Sequence, residues 1–494
     1  MRWLLLVVLT TLFMIGGVST SNEGLAADKA PLVINIDNPS FRKLAFAAPG
    51  FFLAPGASAD ASQFANSGPE ELSRLMQFTG YFNVVSEAAY SELLKKAEVG
   101  FAGGSSSTPS PKPTKVAGKG RLEGAGVSPG MVGIDVSQWK AVGVETLTLG
   151  ELTNEGGLTL NLKTIDLHRG EVLVSKKYGN IGKNDFSRVM RRYADAILTA
   201  YTGKVGIFNS KLVFVGRRAK SAAKQVYISD FDGTHIQQLT HADAPHLSPE
   251  WSKDGRYVTY TSYEDKNPDL FIYDSTAGKH RKLSGRQGIN SGASWDPTSR
   301  LLAFTGSQDG EAEIYLIRPD GTNRRLLIKG DGLDVDPAFS PDGQKLAFVS
   351  GRFGNPHIFV AQLKWDGPED VRAVSDRRLT FAGWYNASPA WSPEGDKLVF
   401  AGYDKDIDRF DLFMVEPDGK NMERLTLRAG DNEAPSYSPN GQLVIFHSNR
   451  LPGTAAKGTA QLYIMNRDGS GQRKIDTGLY EAQTPNWSPQ FPAD

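Results

Sequence analysis

Ser388-Pro-Ala-Trp-Ser-Pro-Glu-Gly395 is one of six versions of a short unit that recurs along the second half of the chain. The others are Ser248-Pro-Glu-Trp-Ser-Lys-Asp-Gly255, Ala293-Ser-Trp-Asp-Pro297, Asp336-Pro-Ala-Phe-Ser-Pro-Asp-Gly343, Ala434-Pro-Ser-Tyr-Ser-Pro-Asn-Gly441 and Thr484-Pro-Asn-Trp-Ser-Pro489. The aromatic falls at positions 251, 295, 339, 391, 437 and 487, so the repeat is 44 to 52 residues long. A period near 45 with several short strands per repeat is the mark of a β-propeller. The Ser-Pro-Asp-Gly pieces are turns: Pro presets φ, Asp bonds its own backbone and Gly accepts positive φ. Apolar strands follow, such as Leu346–Val349 and Leu398–Ala401, then a third strand such as Ile314–Ile317 or Leu412–Val415. A second Asp-Gly turn (320–321, 418–419, 468–469) leads to a fourth strand, as in Glu423–Thr426.

Two fragments are incomplete. Residues 211–240 hold the second to fourth strands of a blade (Leu212–Val215, Gln225–Ile228, Gln238–Thr240) without a first strand. The Thr484–Pro489 unit is a first strand with nothing after it. Joined, they make a sixth blade from both ends of the repeat region and remove the open sheet edges that invite aggregation.

Working outward, residues 28–205 read as an α+β N-terminal domain ahead of an all-β six-bladed propeller over 206–494. The stretch after Pro69 has helical spacing at Leu72, Leu75 and Met76, with Ser67 as N-cap and Gly80 as stop. Phe82–Val85 reads as a strand, Val144–Leu152 and Leu158–Leu167 as a hairpin, and Glu171–Tyr178 as a third strand. Asp185 to Tyr201 shows a helical apolar face ending at Gly203. Between these halves, residues 100–130 are rich in Gly, Ser and Pro and too polar to offset their ordering entropy, so a flexible insert is expected there. At the very start, Arg2 precedes an apolar run from Leu4 to Val18 and small residues up to Ala27, which predicts a signal peptide over 1–27. The run is shorter than a membrane span.

Composition limits the function. The 494 residues carry 55 Lys+Arg and 55 Asp+Glu, and a zero net charge argues against nucleic-acid binding. Cysteine is absent, which excludes disulfides, thiolate metal sites and a lipid anchor of the bacterial lipoprotein kind. No Gly-x-Ser-x-Gly elbow occurs, and the seven histidines (168, 235, 241, 246, 280, 357, 447) show no metal-binding spacing. The Asp404–Asp411 loop could hold Ca²⁺, but a solvated loop is the better reading. No enzyme, cofactor or metal is expected.

The motifs Leu32–Ile36, Ser67–Leu72, Thr79-Gly-Tyr-Phe-Asn83, Trp139 with Gly143, and Tyr201-Thr-Gly203, followed by Leu212–Val215 and Asp230-Phe-Asp-Gly233, resemble those of the TolB family, the periplasmic component of Gram-negative Tol–Pal systems. The resemblance covers nearly the whole mature chain. It departs at the 100–130 insert. It implies a monomer that docks the peptidoglycan-associated lipoprotein Pal at one mouth of the propeller channel and TolA through a mobile N-terminal segment, here Asp28, Leu32, Val33, Ile34 and Ile36. The implied role is outer-membrane integrity and constriction at cell division. Other outer-membrane or peptidoglycan-associated partners are possible on this reading, and a glycan- or peptidoglycan-binding propeller is the alternative.

Strand alternation places the Pro-Asp-Gly and Asp-Gly turns on one face and the loops before each aromatic strand on the other. By motif position, those loops match the family's Pal-contacting residues: His246, Leu247, Ser248; Ile289, Asn290, Ser291; Asp334, Val335, Asp336; Tyr385, Asn386; Asn432, Glu433; and Gln483. A histidine that the family carries in the second loop is replaced here by Ile289 or Asn290. A stable protein complex would bury roughly 1,600 Å² there.

Overall fold

The computed structural model describes residues 42–54, 59–93, 136–154, 157–308, 310–427, 430–451 and 457–492. The expected leader, the segment from Asp28 to Ile36 and the 100–130 insert lie outside these residues.

Residues 44–202 build a mixed sheet with helices. Strand β1 (Leu44–Ala47) runs parallel to both β3 (Phe82–Val84) and β4 (Thr146–Asn154). Strands β4, β5 (Leu158–Asp166) and β6 (Glu171–Tyr178) form an antiparallel meander, and β2 (Phe52–Leu53) adds to β4. Alternation sorts the side chains. Leu152, Leu160 and Leu162 face helices α1 (Ala59–Phe78) and α3 (Phe186–Thr202). Leu147, Leu149 and Ile165 face Trp139 of the short helix α2 (Val136–Ala141). Helices α1 and α3 meet through the stacked rings of Phe64 and Phe186, 4.0 Å apart. Buried hydroxyls are paired across the same core, Thr146 with Tyr201 at 2.7 Å and Thr164 with Tyr193 at 2.8 Å.

Helix α3 starts after Asp185 and ends on Gly203 at φ 68°, as its sequence predicts. Helix α1 differs from expectation. It begins ten residues before Pro69, so Ser67 is an interior residue bonding the Gln63 carbonyl and not an N-cap. An interior proline leaves the carbonyl four residues earlier without its helical donor. Here the Phe51 N–H takes that Ala65 oxygen at 2.9 Å, which explains how the helix runs through.

From residue 211 onward six four-stranded antiparallel sheets follow one another around a ring. Five are consecutive hairpin meanders, with innermost strands His246–Trp251, Asn290–Trp295, Asp334–Phe339, Tyr385–Trp391 and Asn432–Tyr437. The sixth is assembled from both ends. Glu481–Trp487 pairs antiparallel with Lys211–Arg217, placing Trp487 opposite Leu212 and Gln483 opposite Val215. The closure is fastened by side chains: Trp487 Nε1 donates to Ser210 Oγ at 2.7 Å and its backbone N–H to Ser436 Oγ at 3.0 Å. Wall strands such as Leu346–Val349 are buried on both faces, as stacked blades require.

The N-terminal domain sits on the face that carries the Asp-Gly turns. Phe78 at the end of α1 meets Phe231 edge-to-face at 4.9 Å, and Arg473 lies over the Phe78 ring at 4.8 Å while donating to the Phe78 carbonyl. Ion pairs Arg74–Asp232 (2.6 Å), Arg191–Asp230 (2.9 Å) and Lys204–Glu394 (2.7 Å) surround this contact. The buried Asp195 of α3 accepts the Ile207 and Phe208 N–H groups and Gln490 Nε2 at 2.8–3.0 Å, so one carboxylate ties helix, linker and C-terminal tail together.

Replacing Trp487 by Ala removes a buried ring and its hydrogen bond from the closing strand. The expected cost is about 3–5 kcal/mol, read as a fall in the urea midpoint. A surface-sized effect would contradict this role.

Candidate functional site

Each innermost strand breaks its ladder at one place. The register slips between Leu247 and Glu250, Ser291 and Ser294, Val335 and Ala338, Ala387 and Ala390, Glu433 and Ser436, and Gln483 and Asn486. At every slip one residue adopts positive φ: Ser248, Gly292, Asp336, Ser388, Ala434 and Thr484, all between 45° and 58°. The next residue is Pro in five blades, and a proline at a bulge forfeits no ladder hydrogen bond. The six bulges bend the inner strands around a central channel of about 620 Å³, whose lining includes these residues and, at the end nearer the N-terminal domain, Val205 of the linker.

The predicted mouth residues divide at this bulge. Ser248, Asp336 and Glu433 stand at or next to it, together with the half-buried Leu247, Ser291, Val335 and Gln483, while the half-buried Tyr385 lies three residues ahead of the bulge at Ser388. Ile289 is exposed on the rim. Five others turn into the blades. His246, Asn290, Asp334, Asn386 and Asn432 are buried two residues before the bulge, where the strand directs alternate side chains into the blade. Apart from His246 Nδ1, their polar atoms are paired. His246 Nε2 lies 2.9 Å from Glu264 Oε1 and Asn290 Oδ1 accepts from Ser284 Oγ at 2.7 Å. Asp334 pairs with Arg352 at 3.2 Å, and Asn386 Nδ2 reaches His357 Nδ1 at 2.8 Å. Asn432 Nδ2 donates to Asp411 Oδ1 at 2.9 Å while its oxygen accepts from Arg450 at 2.6 Å. Arg352 and Arg450 also lie over paired aromatic rings, Phe359 at 4.9 Å and Tyr463 at 4.5 Å. These residues hold the loops in place. The segment of Asp28, Leu32, Val33, Ile34 and Ile36 lies outside the described residues.

Beyond Ile289, sequence reasoning missed the rim residues. Phe353, Phe381 and Trp384 are 69, 74 and 51% exposed, and Leu333, Ile407 and Tyr480 are also exposed. All six sit in loops joining the second to the third strand or one blade to the next, on the face opposite the N-terminal domain. Large apolar residues in turn-rich loops were a visible signal, because such loops are otherwise polar.

Two carboxylates face the channel. Burial pushes the Glu250 carboxyl up to about 7, against the opposing effect of Lys253 at 3.8 Å, and burial also raises Asp336. The face thus combines a rigid ring, an apolar rim and a mildly acidic lumen. Such a surface suits recognition of a folded protein segment.

A sequence model described as the TolB beta propeller domain matches residues 198–491. The Tol-Pal system protein TolB of Hydrogenovibrio crunogenus is 39% identical over 366 residues, covering 73% of this chain and 80% of that protein. The chain belongs to the TolB family. The Tol-Pal system protein TolB of Desulfosudis oleivorans is 33% identical over 259 residues, 52% of this chain and 51% of its own, so the match spans about half of that relative. The crystal structure of TolB from Acinetobacter baumannii has the same fold, with a TM-score of 0.69, 22% identity and coverage of 91% of this chain and 97% of that one.

Two outcomes follow from the geometry. Asn432→Ala should lower stability by about 1–3 kcal/mol, since it leaves buried partners unpaired, whereas Ser248→Ala should stay within about 0.5 kcal/mol; chemical denaturation of both separates wall from lumen. Because the Glu250 pKa is raised in the folded state, its contribution is full below the unfolded carboxylate range and is lost as pH rises through about 7. Glu250→Gln should therefore reduce the fall in denaturation midpoint between pH 5 and pH 8.

Proposed function

We propose that this protein is a periplasmic, non-catalytic binding component of a Tol–Pal system. On this reading it docks the Pal lipoprotein on the open mouth of the propeller and TolA through the segment from Asp28 to Ile36, supporting outer-membrane integrity and constriction at division. Family membership supports the system. The leader-like N-terminus supports export, and among the described residues no helix is long and apolar enough to cross a membrane.

The observation that carries the docking reading is the apolar rim. Phe353, Phe381 and Trp384 stand in the loops of the third blade and its junction with the fourth, on the face that the described residues of the N-terminal domain leave uncovered, and exposed apolar side chains edged by polar groups mark protein-binding surfaces. Aromatic anchors in such positions dominate interface energies. His246 is a poor probe because it is fully enclosed; the rim side chains are not.

In calorimetric titrations with the soluble domain of Pal, Phe381→Ala combined with Trp384→Ala should weaken binding at least tenfold while the melting temperature stays within about 2 °C. Unchanged affinity overturns this docking face. Binding of purified peptidoglycan without Pal would favour the glycan-binding alternative.

A further inference from the structure

The seam where the fifth and closing sixth blades meet holds a separate pocket of about 340 Å³ on the open face. Three carboxylates line it, and two are neutralised. Glu481 is paired with Arg217 at 2.5 Å and Lys224 at 3.1 Å. Asp431 is paired with Lys457 at 3.1 Å and accepts from Asn449 at 2.8 Å. Glu433 is different. Among the described residues its one ion-pair neighbour is His447, at 3.9 Å. That imidazole cannot supply charge at neutral pH, because burial, and secondly the nearby Lys224, push it down to about 4. Its tautomer is also set: Nδ1 accepts the Thr484 N–H at 3.3 Å, leaving the proton on Nε2. Glu433 is thus a half-buried carboxylate, raised by burial and then by the adjacent Asp431 against the opposing pull of Lys457, while the cations around its polar pocket, Lys457 and Arg217, are ion-paired with Asp431 and Glu481.

A desolvated carboxylate gains most when an opposite charge arrives with hydrogen-bond donors. We propose that Glu433 is the floor of a socket for one Lys or Arg side chain of the protein that docks on this face. The inference rests on the docking reading above and adds the chemistry of the partner to it. The exposed Tyr480 and Leu451 stand at the same seam and would cover the aliphatic stem, as long cationic side chains require. The floor is rigid because Glu433 lies directly before the bulge at Ala434, opposite His447 in the ladder. Closure of the ring therefore builds the socket: one wall comes from the fifth blade and the other from the strand that shuts the sixth.

The test titrates the full chain with the soluble domain of Pal at low and moderate salt. Glu433→Gln should weaken binding about tenfold and flatten its salt dependence, and Glu433→Lys should weaken it further. The denaturation midpoint of the Gln variant should be unchanged or higher, which a merely structural carboxylate would not allow. Equal affinity for Glu433→Gln, with binding still lost on removing Phe381 and Trp384, overturns the socket and leaves the docking face standing. If the wild-type chain does not bind Pal, the docking reading fails and the socket is judged alone. N-acetyl-lysine N-methylamide should then shift the His447 ring resonances saturably in the wild type and not in Glu433→Gln. No shift in the wild type overturns it.

Discussion

Pairing of residues 481–487 with 211–217 converts five complete sheets and two fragments into a closed ring. Without it, Leu212–Val215 would expose an apolar strand edge at one end of the array, and Trp487 would have no buried site. The long loop this contact closes costs little more than a shorter one, because loop entropy grows only logarithmically with length. Nearly three hundred residues are thereby fixed into one body. The mouth inherits its shape from that constraint, since each bulge is aimed by the blade on either side.

The same contact anchors the N-terminal domain. Asp195 holds the linker and Gln490, three residues beyond the closing Trp487, in one set of hydrogen bonds. The core is accordingly continuous from Phe46 through Phe208 and Phe231 to Ile464. Among the described residues, the domain covers the turn face of the ring and leaves the other face free. Polar groups inside the walls are mostly paired, and arginines such as Arg352 and Arg450 serve twice, bonding a first-strand residue while covering aromatic rings. A rigid face of this kind loses little entropy on binding, which favours preorganised recognition.

Much of this was legible before any coordinates. The aromatic-Ser-Pro units gave the number of blades, and the two incomplete fragments gave the closure. The start of α1 was not legible, because Pro69 resembles a first-turn proline and the donor that rescues the Ala65 carbonyl, Phe51, comes from outside the helix. The mouth was half legible. Motif position picks out the loops ahead of each bulge, but only the register slip shows that Asn432 and Asp334 turn inward while Glu433 and Asp336 do not. Phe381 and Trp384 are not legible by this route, because they lie just ahead of the repeat unit and outside its pattern.

The absence of cysteine allows the central pairing to be measured directly. Val215 and Gln483 face each other across the closing ladder, within the span a disulfide can bridge. A chain carrying Val215→Cys and Gln483→Cys, oxidised and digested, should yield the two peptides joined to each other within one monomer. Recovery of both as free thiols, or linked only between chains, would contradict the closed ring and the docking surface built on it.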